Sequence, residues 1–383
     1  NSIKGVGAST AAITVNNTDG SCAVNNTQRQ GKNLILNGSF KIAQRGTSST
    51  TSGYGSVDRW QILHNGTDEA PTHAQVDVSS GTTPYTLGFR KALRVTNGNQ
   101  TSGAGAADYI MLNTRLESQD TAQSGWNYTS TSSFITLSFW VKSSVAQEFF
   151  GFLLSSDGTR KLYSFSLGSL SADTWTKVTK TIPGNSELQF DNDTEQGILL
   201  RVAMFRGTDN TGTITQNQWS TFNTNVRYPN YTSTWYTTND ATFEVTGFQL
   251  EVGSVATDFE HLSFADELRR CQRYFFNITG DNGTKTSVLG YANSSSNVRA
   301  VVNFPVPMRA NPTFTGSTGA MVFDSSDDSD SFNVNTIAVN SNTTNPNPFQ
   351  QSIEANPGGM TAGQGGQFEF RANSGFMNFS AEL

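Results

Sequence analysis

The chain has 383 residues, 25 of them basic and 31 acidic for a net charge of −6, which leaves room for two or three domains and a sizeable core. Charged residues make up only 15%, and Asn, Thr, Ser and Gly fill the polar positions, so the expected surface is uncharged and hydrogen-bonding. No Lys/Arg run could neutralise successive phosphates, no apolar run approaches the ~20 residues of a membrane span, and no signal peptide opens the chain, which together exclude a nucleic-acid partner and membrane insertion and point to a soluble protein.

In chain order, residues 1–32 hold two short alternating runs, Ala12 to Val15 and Ser21 to Val24, around Asn17-Thr18-Asp19-Gly20, a hairpin signal. So little apolar surface makes no core alone, and the segment is expected to lean on other chains or on the next domain. Asn1 in place of Met reads as a fragment or a matured start.

From residue 33 to 262, β-type runs recur: 34–36, 92–96, 134–142, 148–154, 175–182, 197–205 and 242–252, punctuated by Gly, Asn, Asp and Ser. This predicts an antiparallel jelly-roll β-sandwich rather than alternating βαβ units. In the last run Phe243 and Val245 share one parity and Phe248, Leu250 and Val252 the other, so a bulge at Gly247 is expected to restore one buried face. Residues 263–383 then read as a linking helix and a second, C-terminal β module. Ser263 with Asp266 makes a capping box, and Phe264, Leu268, Cys271 and Phe275 form one apolar stripe. Strand-like runs follow at 298–304, 320–323, 336–339, 368–372 and 376–379, with a polar stretch between Asn340 and Gly366 that reads as a long or partly disordered loop.

The chemistry-bearing residues are sparse. Cys22 and Cys271 belong to no metal or redox motif and read as free thiols, and His64, His73 and His261 lack metal-ligand spacing. There is no nucleophile elbow or phosphate loop. The acidic stretches 191–195 and 324–330 complete no calcium-binding loop, and the chain is expected to carry no metal or other cofactor.

One segment stands out. Residues 217–240, "NQWSTFNTNVRYPNYTSTWYTTND", interleave Trp219, Phe222, Tyr228, Tyr231, Trp235 and Tyr236 with amides and hydroxyls. Sugars offer apolar C–H faces ringed by hydroxyls, so flat aromatic platforms beside Asn, Thr and Ser suit them. Tyr228, Tyr231, Trp235, Tyr236 and Trp219 are therefore candidate carbohydrate contacts, and Trp126 with Tyr128 forms a smaller second candidate. The competing reading is that these rings anchor a long loop on the sandwich. Trp60, Trp140 and Trp175 lie on or beside strand patterns and read as core.

Several stretches taken together, "NLILNGSFKIAQRGTS" (33–48), "SVDRWQI" (56–62), "ITLSFWVKSS" (135–144), "GFQLEVGSVATDFEHLSFADELRRCQRYF" (247–275) and "NFPVPMRANPTF" (303–314), resemble a module of bacteriophage tail-fibre and virion appendage proteins. The resemblance implies a jelly roll similar to carbohydrate-binding modules, carried on a homotrimer in the extracellular virion. It also implies attachment to other tail proteins through the N-terminal segment, and adsorption to a host-surface glycan. Similar modules often hold a structural calcium with an acidic residue after the "NGSF"-type motif, where this chain has Lys41, with Gln249 in the late strand. The expected function is receptor binding without catalysis. The alternatives are a structural joint of the virion and a polysaccharide depolymerase, which would need two carboxylates across a cleft.

Overall fold

The computed structural model describes residues 31–325, 331–339, 347–372 and 375–383, together with the backbone of three short strands, Ser2–Ile3, Ile13–Val15 and Cys22–Val24. Those three pair antiparallel, Ile13 opposite Val24 and Val15 opposite Cys22, as the hairpin pattern predicts. The turn expected at 17–20 lies outside the described residues, as do 326–330 of the acidic stretch at 324–330.

Two six-stranded antiparallel sheets make the sandwich. The first runs Trp219–Thr221, Lys161–Leu170, Gln147–Ser155, Gln196–Arg206, Tyr109–Glu117, Gln61–Asn65, and the second runs Thr176–Pro183, Phe134–Ser143, Thr242–Val252, Lys91–Thr96, Thr72–Asp77, Ser48–Ser49. Their facing side chains interdigitate, with Phe139 stacked on Phe248 at 4.2 Å between centroids and Trp60 4.7 Å from Phe248. Each fully buried ring of this kind contributes roughly 1.5–3 kcal/mol.

The bulge falls where the alternation breaks. The register of Thr242–Val252 against Phe134–Ser143 shifts between Thr246 and Gln249, and Gly247 sits at φ +70°. Phe243, Val245, Phe248 and Leu250 thereby all reach the core. A β-carbon at Gly247 would lie 2.6 Å from the Phe89 ring, so both backbone and space require glycine.

The expected strand at 34–36 is instead an irregular segment. Asn33 stitches it to the late strand, its Oδ1 accepting from the N–H groups of Ile35 and Leu250, both at 3.0 Å, and its Nδ2 donating to Phe248 O at 2.9 Å. The "NGSF" motif is a structural staple. Asn37 holds φ +53°, its side chain bonds Ile42 on both sides and Asp58 O, and its N–H donates to Glu267 Oε1 at 2.7 Å. The αL backbone position favours a short polar side chain that can bond locally, and Asn supplies one.

The helix spans Phe264–Gln272, and its Ser263 cap accepts from Asp266 N–H at 3.1 Å. The stripe drawn from hydrophobicity needs correction: Phe264 is 61% exposed, Phe275 has already entered a strand, and the buried face carries Glu267 and Cys271, followed by Tyr274. The carboxylate is buried because it accepts the Asn37 N–H, a partner that no helical period announces.

Beyond the helix lie a three-stranded sheet, Phe275–Gly280, Gly375–Ser380, Thr313–Gly316, and a seven-stranded one, enclosing a separate core around Phe323, Phe368, Phe370 and Phe379. The stretch between Asn340 and Gly366 is not one loop, since Gln350–Ala355 forms a strand within it, pairing with Asn297–Asn303. The buried Gln351, Ile353 and Ala355 alternate with the half-buried Ser352 and Glu354 there, a period of 2 that the Asn- and Pro-rich residues before it mask.

Candidate functional site

The aromatic segment does not form an open platform. Trp235 and Tyr236 are 0% exposed on the short helix Thr234–Thr237, Tyr228 is 1% exposed, and Trp126 is 3% exposed. Trp235 Nε1 donates to Thr242 O at 3.1 Å, while Tyr236 stacks on Phe205 at 4.4 Å with its hydroxyl donating to Asp108 at 3.1 Å. The Tyr231 ring is half-buried, its hydroxyl 3.1 Å from the carbonyls of Phe150 and Ala203, and Trp219 Nε1 donates to Pro183 O at 2.7 Å. Tyr128 packs edge-on against Phe190 at 4.9 Å, beside Trp126.

The physical reason differs along the chain: Trp235, Tyr236 and Trp126 enter the core between the two sheets, with Trp219 and Tyr128 packed against it, whereas Tyr228, Tyr231 and Phe222 meet the first sheet's outer face. Met111, Phe150, Phe152, Leu154, Leu162 and Leu199 make it apolar, and the aromatic segment lies across it as a cover, forming a second hydrophobic layer with Tyr228, Tyr231 and Phe222. A covering loop needs rings with polar tips that reach backbone carbonyls, which is the composition that also suits a sugar platform. Burial pushes the Tyr228 hydroxyl up to about 12 and Tyr231 well above the phenol range.

The open site lies at the junction of the sandwich and the C-terminal module, a cleft of about 800 Å³. Its floor is one face of the three-stranded sheet, set out in register. Phe275 lies opposite Ser380 and Ser380 opposite Thr313; Asn277 opposite Asn378 and Asn378 opposite Thr315; Thr279 opposite Phe376. The intervening Phe276, Ile278, Phe314, Met377 and Phe379 point the other way into the C-terminal core. Strict alternation therefore lays a grid of hydroxyls and amides on the cleft side, with neighbouring strands about 4.8 Å apart.

The facing wall comes from sandwich loops and carries Gln44, Arg45, Ser49, Thr51 and Tyr54. Arg45 lies 3.6 Å over the Phe275 ring and pairs with Glu382 at 3.2 Å, so its charge is already engaged. Gln44 Nε2 donates to Phe275 O and Asn277 Nδ2 donates to Gln44 O, both at 2.8 Å, which ties wall to floor. The Tyr54 hydroxyl donates to Leu383 O at 3.3 Å, and its pKa is raised by burial and by Glu382. Among the described residues, Asn378, Thr279 and Thr315 have no side-chain hydrogen-bond partner, and the Phe376 and Tyr54 rings are half-buried beside them. Such free donors and acceptors next to ring faces can hold a hydroxylated, partly apolar ligand.

Sequence reasoning passed over this site. "GFMNFS" reads as a strand run at 376–379, while "FFNITG" falls between the helix stripe and the next strand run, and Thr279, Phe376 and Asn378 carry no site motif. The signal was the period of 2, which places Asn and Thr on a solvent face that a second domain then walls.

A calcium ion does not fit the position after the "NGSF" motif. Lys41 stands there, with its ammonium donating to Leu262 O at 2.7 Å, and Lys32 donates to Asp258 O and Thr257 Oγ1 nearby. Among the described residues no three His, Cys, Asp or Glu side chains converge as metal ligands.

No family model matches the chain, and no curated protein matches it. Among solved structures it is similar to the enzymatically active domain of tailspike protein 4 from bacteriophage CBA120, at 9% identity and a TM-score of 0.31 over 58% of this chain and 22% of that one. A putative sugar binding protein from Bacteroides thetaiotaomicron matches 58% of this chain and 100% of its own at 12% identity and a TM-score of 0.30. A family 11 carbohydrate-binding module from Clostridium thermocellum, solved with a mixed-linked tetrasaccharide, matches 55% and 98% at 13% identity and a TM-score of 0.25. The chain thus spans less than a quarter of the tailspike chain. Likenesses of this degree carry no functional inference, and what the chain binds rests on its own residues.

Proposed function

We propose that this chain is a glycan-binding component of a bacteriophage virion appendage, and that it holds an uncharged stretch of host-surface saccharide in the junction cleft without cleaving it. The observation that carries the reading is the unpartnered amide and hydroxyls of Asn378, Thr279 and Thr315 beside the Phe376 and Tyr54 rings. The appendage setting is supported by the sequence resemblance over 33–383, and a trimer attached to other tail proteins by its N-terminal strands accords with a segment that has so little apolar surface of its own. Three copies would turn weak single-site contacts into firm attachment through effective concentration. Binding without turnover is supported by the cleft lining, where Asp281 at the rim is the one carboxylate among the described residues and glycosidic hydrolysis uses two.

One observation favours a second reading. The sealed aromatic segment fits a passive joint whose loops exist only to stiffen the sandwich. The two separate on a panel of immobilised neutral glycans. Glycan binding predicts retention of the wild-type chain, weakened at least tenfold in the Phe376→Ala/Asn378→Ala variant. A passive joint predicts retention on no glycan at all.

A further inference from the structure

The outer face of the first sheet gathers arginines that the sequence scatters over 67 positions, from Arg160 to Arg227. Across its strands one row runs Gln61, Asn113, Arg201, Phe152, Ser164. Arg201 lies 5.5 Å over the Phe152 ring and donates from Nε to Asn113 Oδ1 at 2.7 Å. Toward the rim, Arg206 lies 4.8 Å over Tyr109, while Arg160 and Arg227 lie 4.4 and 5.4 Å over the one Phe222 ring.

Among the described residues none of Arg160, Arg201, Arg206 and Arg227 forms an ion pair. Asp209 is the acid that faces Arg206. Burial chiefly holds Arg201, Arg206 and Arg227 below the usual guanidinium range, with the Tyr228 hydroxyl opposing the shift and neighbouring arginines adding to it. A second observation points the same way: Asn113 is fully buried, and its Nδ2, beside Arg201, is a donor without an acceptor. Arg201 and Arg227 have neutral acceptors, Asn113 Oδ1 and Thr224 O, the latter 3.1 Å from Arg227 Nε, but none of the four arginines is paired with a carboxylate that would offset its charge.

We infer that the rim of this face, where the aromatic cover ends, is a second binding surface, which takes the carboxylates of an acidic polysaccharide between Arg206, Arg227 and Arg160, with Arg201 behind them. Guanidinium groups accept carboxylates bidentately, and the rings under them hold the forks in place. The surface is separate from the junction cleft and does not depend on it.

The test uses the full chain with polygalacturonate as the acidic probe, dextran as the neutral one and duplex DNA as the non-saccharide polyanion, in affinity electrophoresis at low and at 0.5 M salt. Polygalacturonate should retard the wild type at low salt, with loss at high salt because the contacts are screened. Arg206→Gln/Arg227→Gln should weaken retardation roughly tenfold, the exposed Arg160→Gln severalfold, and Phe376→Ala/Asn378→Ala not at all; dextran should be insensitive to the arginine changes. The two arginine variants must unfold at the wild-type midpoint. No retardation of the wild type, or equal retardation of wild type and both arginine variants, overturns the inference. Duplex DNA held as tightly as polygalacturonate and released by the same substitutions also overturns it, because the face would then be a general polyanion surface.

Discussion

Arg273, just past the helix, places its Nε and Nη2 each 2.7 Å from the two carboxylate oxygens of Glu117, a 1%-exposed residue at the end of a sandwich strand. Tyr274 donates to the same carboxylate and carries Arg59 3.4 Å over its ring, and Arg59 in turn pairs with Glu382 near the chain's last residue. This buried network fixes the C-terminal sheet against the sandwich, and so fixes the width of the cleft between them.

Removing one partner should therefore cost more than the pair contributes. Arg273→Gln leaves the Glu117 carboxylate with only its Tyr274 and Gln119 donors and is expected to destabilise the fold by about 1–3 kcal/mol, while Arg273→Met with Glu117→Gln recovers part of that loss. Urea unfolding of the three variants checks this. Equal stability of wild type and Arg273→Gln would show that Glu117 is not buried as described.

Asp58 supplies a pH signature. Burial raises its carboxyl from 3.8 to about 6 despite the Gln44 and Arg45 partners. Since the folded value lies above the unfolded one, its contribution is fully present below about pH 3.8 and is lost as pH rises through about 6. Relative to Asp58→Asn, the wild type should thus lose up to roughly 3 kcal/mol between pH 4 and pH 7.5. Parallel stability profiles of the two proteins would contradict this account of Asp58.

Trp235→Ala distinguishes a core ring from a ligand platform. The side chain is fully enclosed and its indole N–H is bonded, so truncation is expected to cost about 3–5 kcal/mol in unfolding experiments. The glycan affinity of the remaining folded protein should not change. Loss of affinity at unchanged stability would return the aromatic segment to the binding site.

The contrast between Gly247 and Trp235 shows what the chain makes legible. A phase slip at Gly247 is a local fact, readable because side chains alternate with a strict period of 2, and the bulge and shared buried face follow from it. The Ser263 cap is local in the same sense. Whether the ring of Trp235 faces water or the core is decided by Gln147, Thr242 and Phe243 on other strands, and amphipathic composition suits both outcomes. Asn378 lay hidden for the opposite reason. Its strand was readable, but the wall of Gln44, Arg45 and Tyr54 comes from more than 300 residues earlier in the chain.

The cleft can be tested at the atoms that define it. With the side-chain amides and indoles labelled with ¹⁵N, titration with a glycan retained on the neutral panel should move the Asn378 and Asn277 amide signals in proportion to saturation and leave the Trp219 indole still. Shifts confined to Trp219 and the outer face of the first sheet, with the Asn378 signal unmoved at saturating glycan, would contradict the junction cleft as the place where this protein holds saccharide.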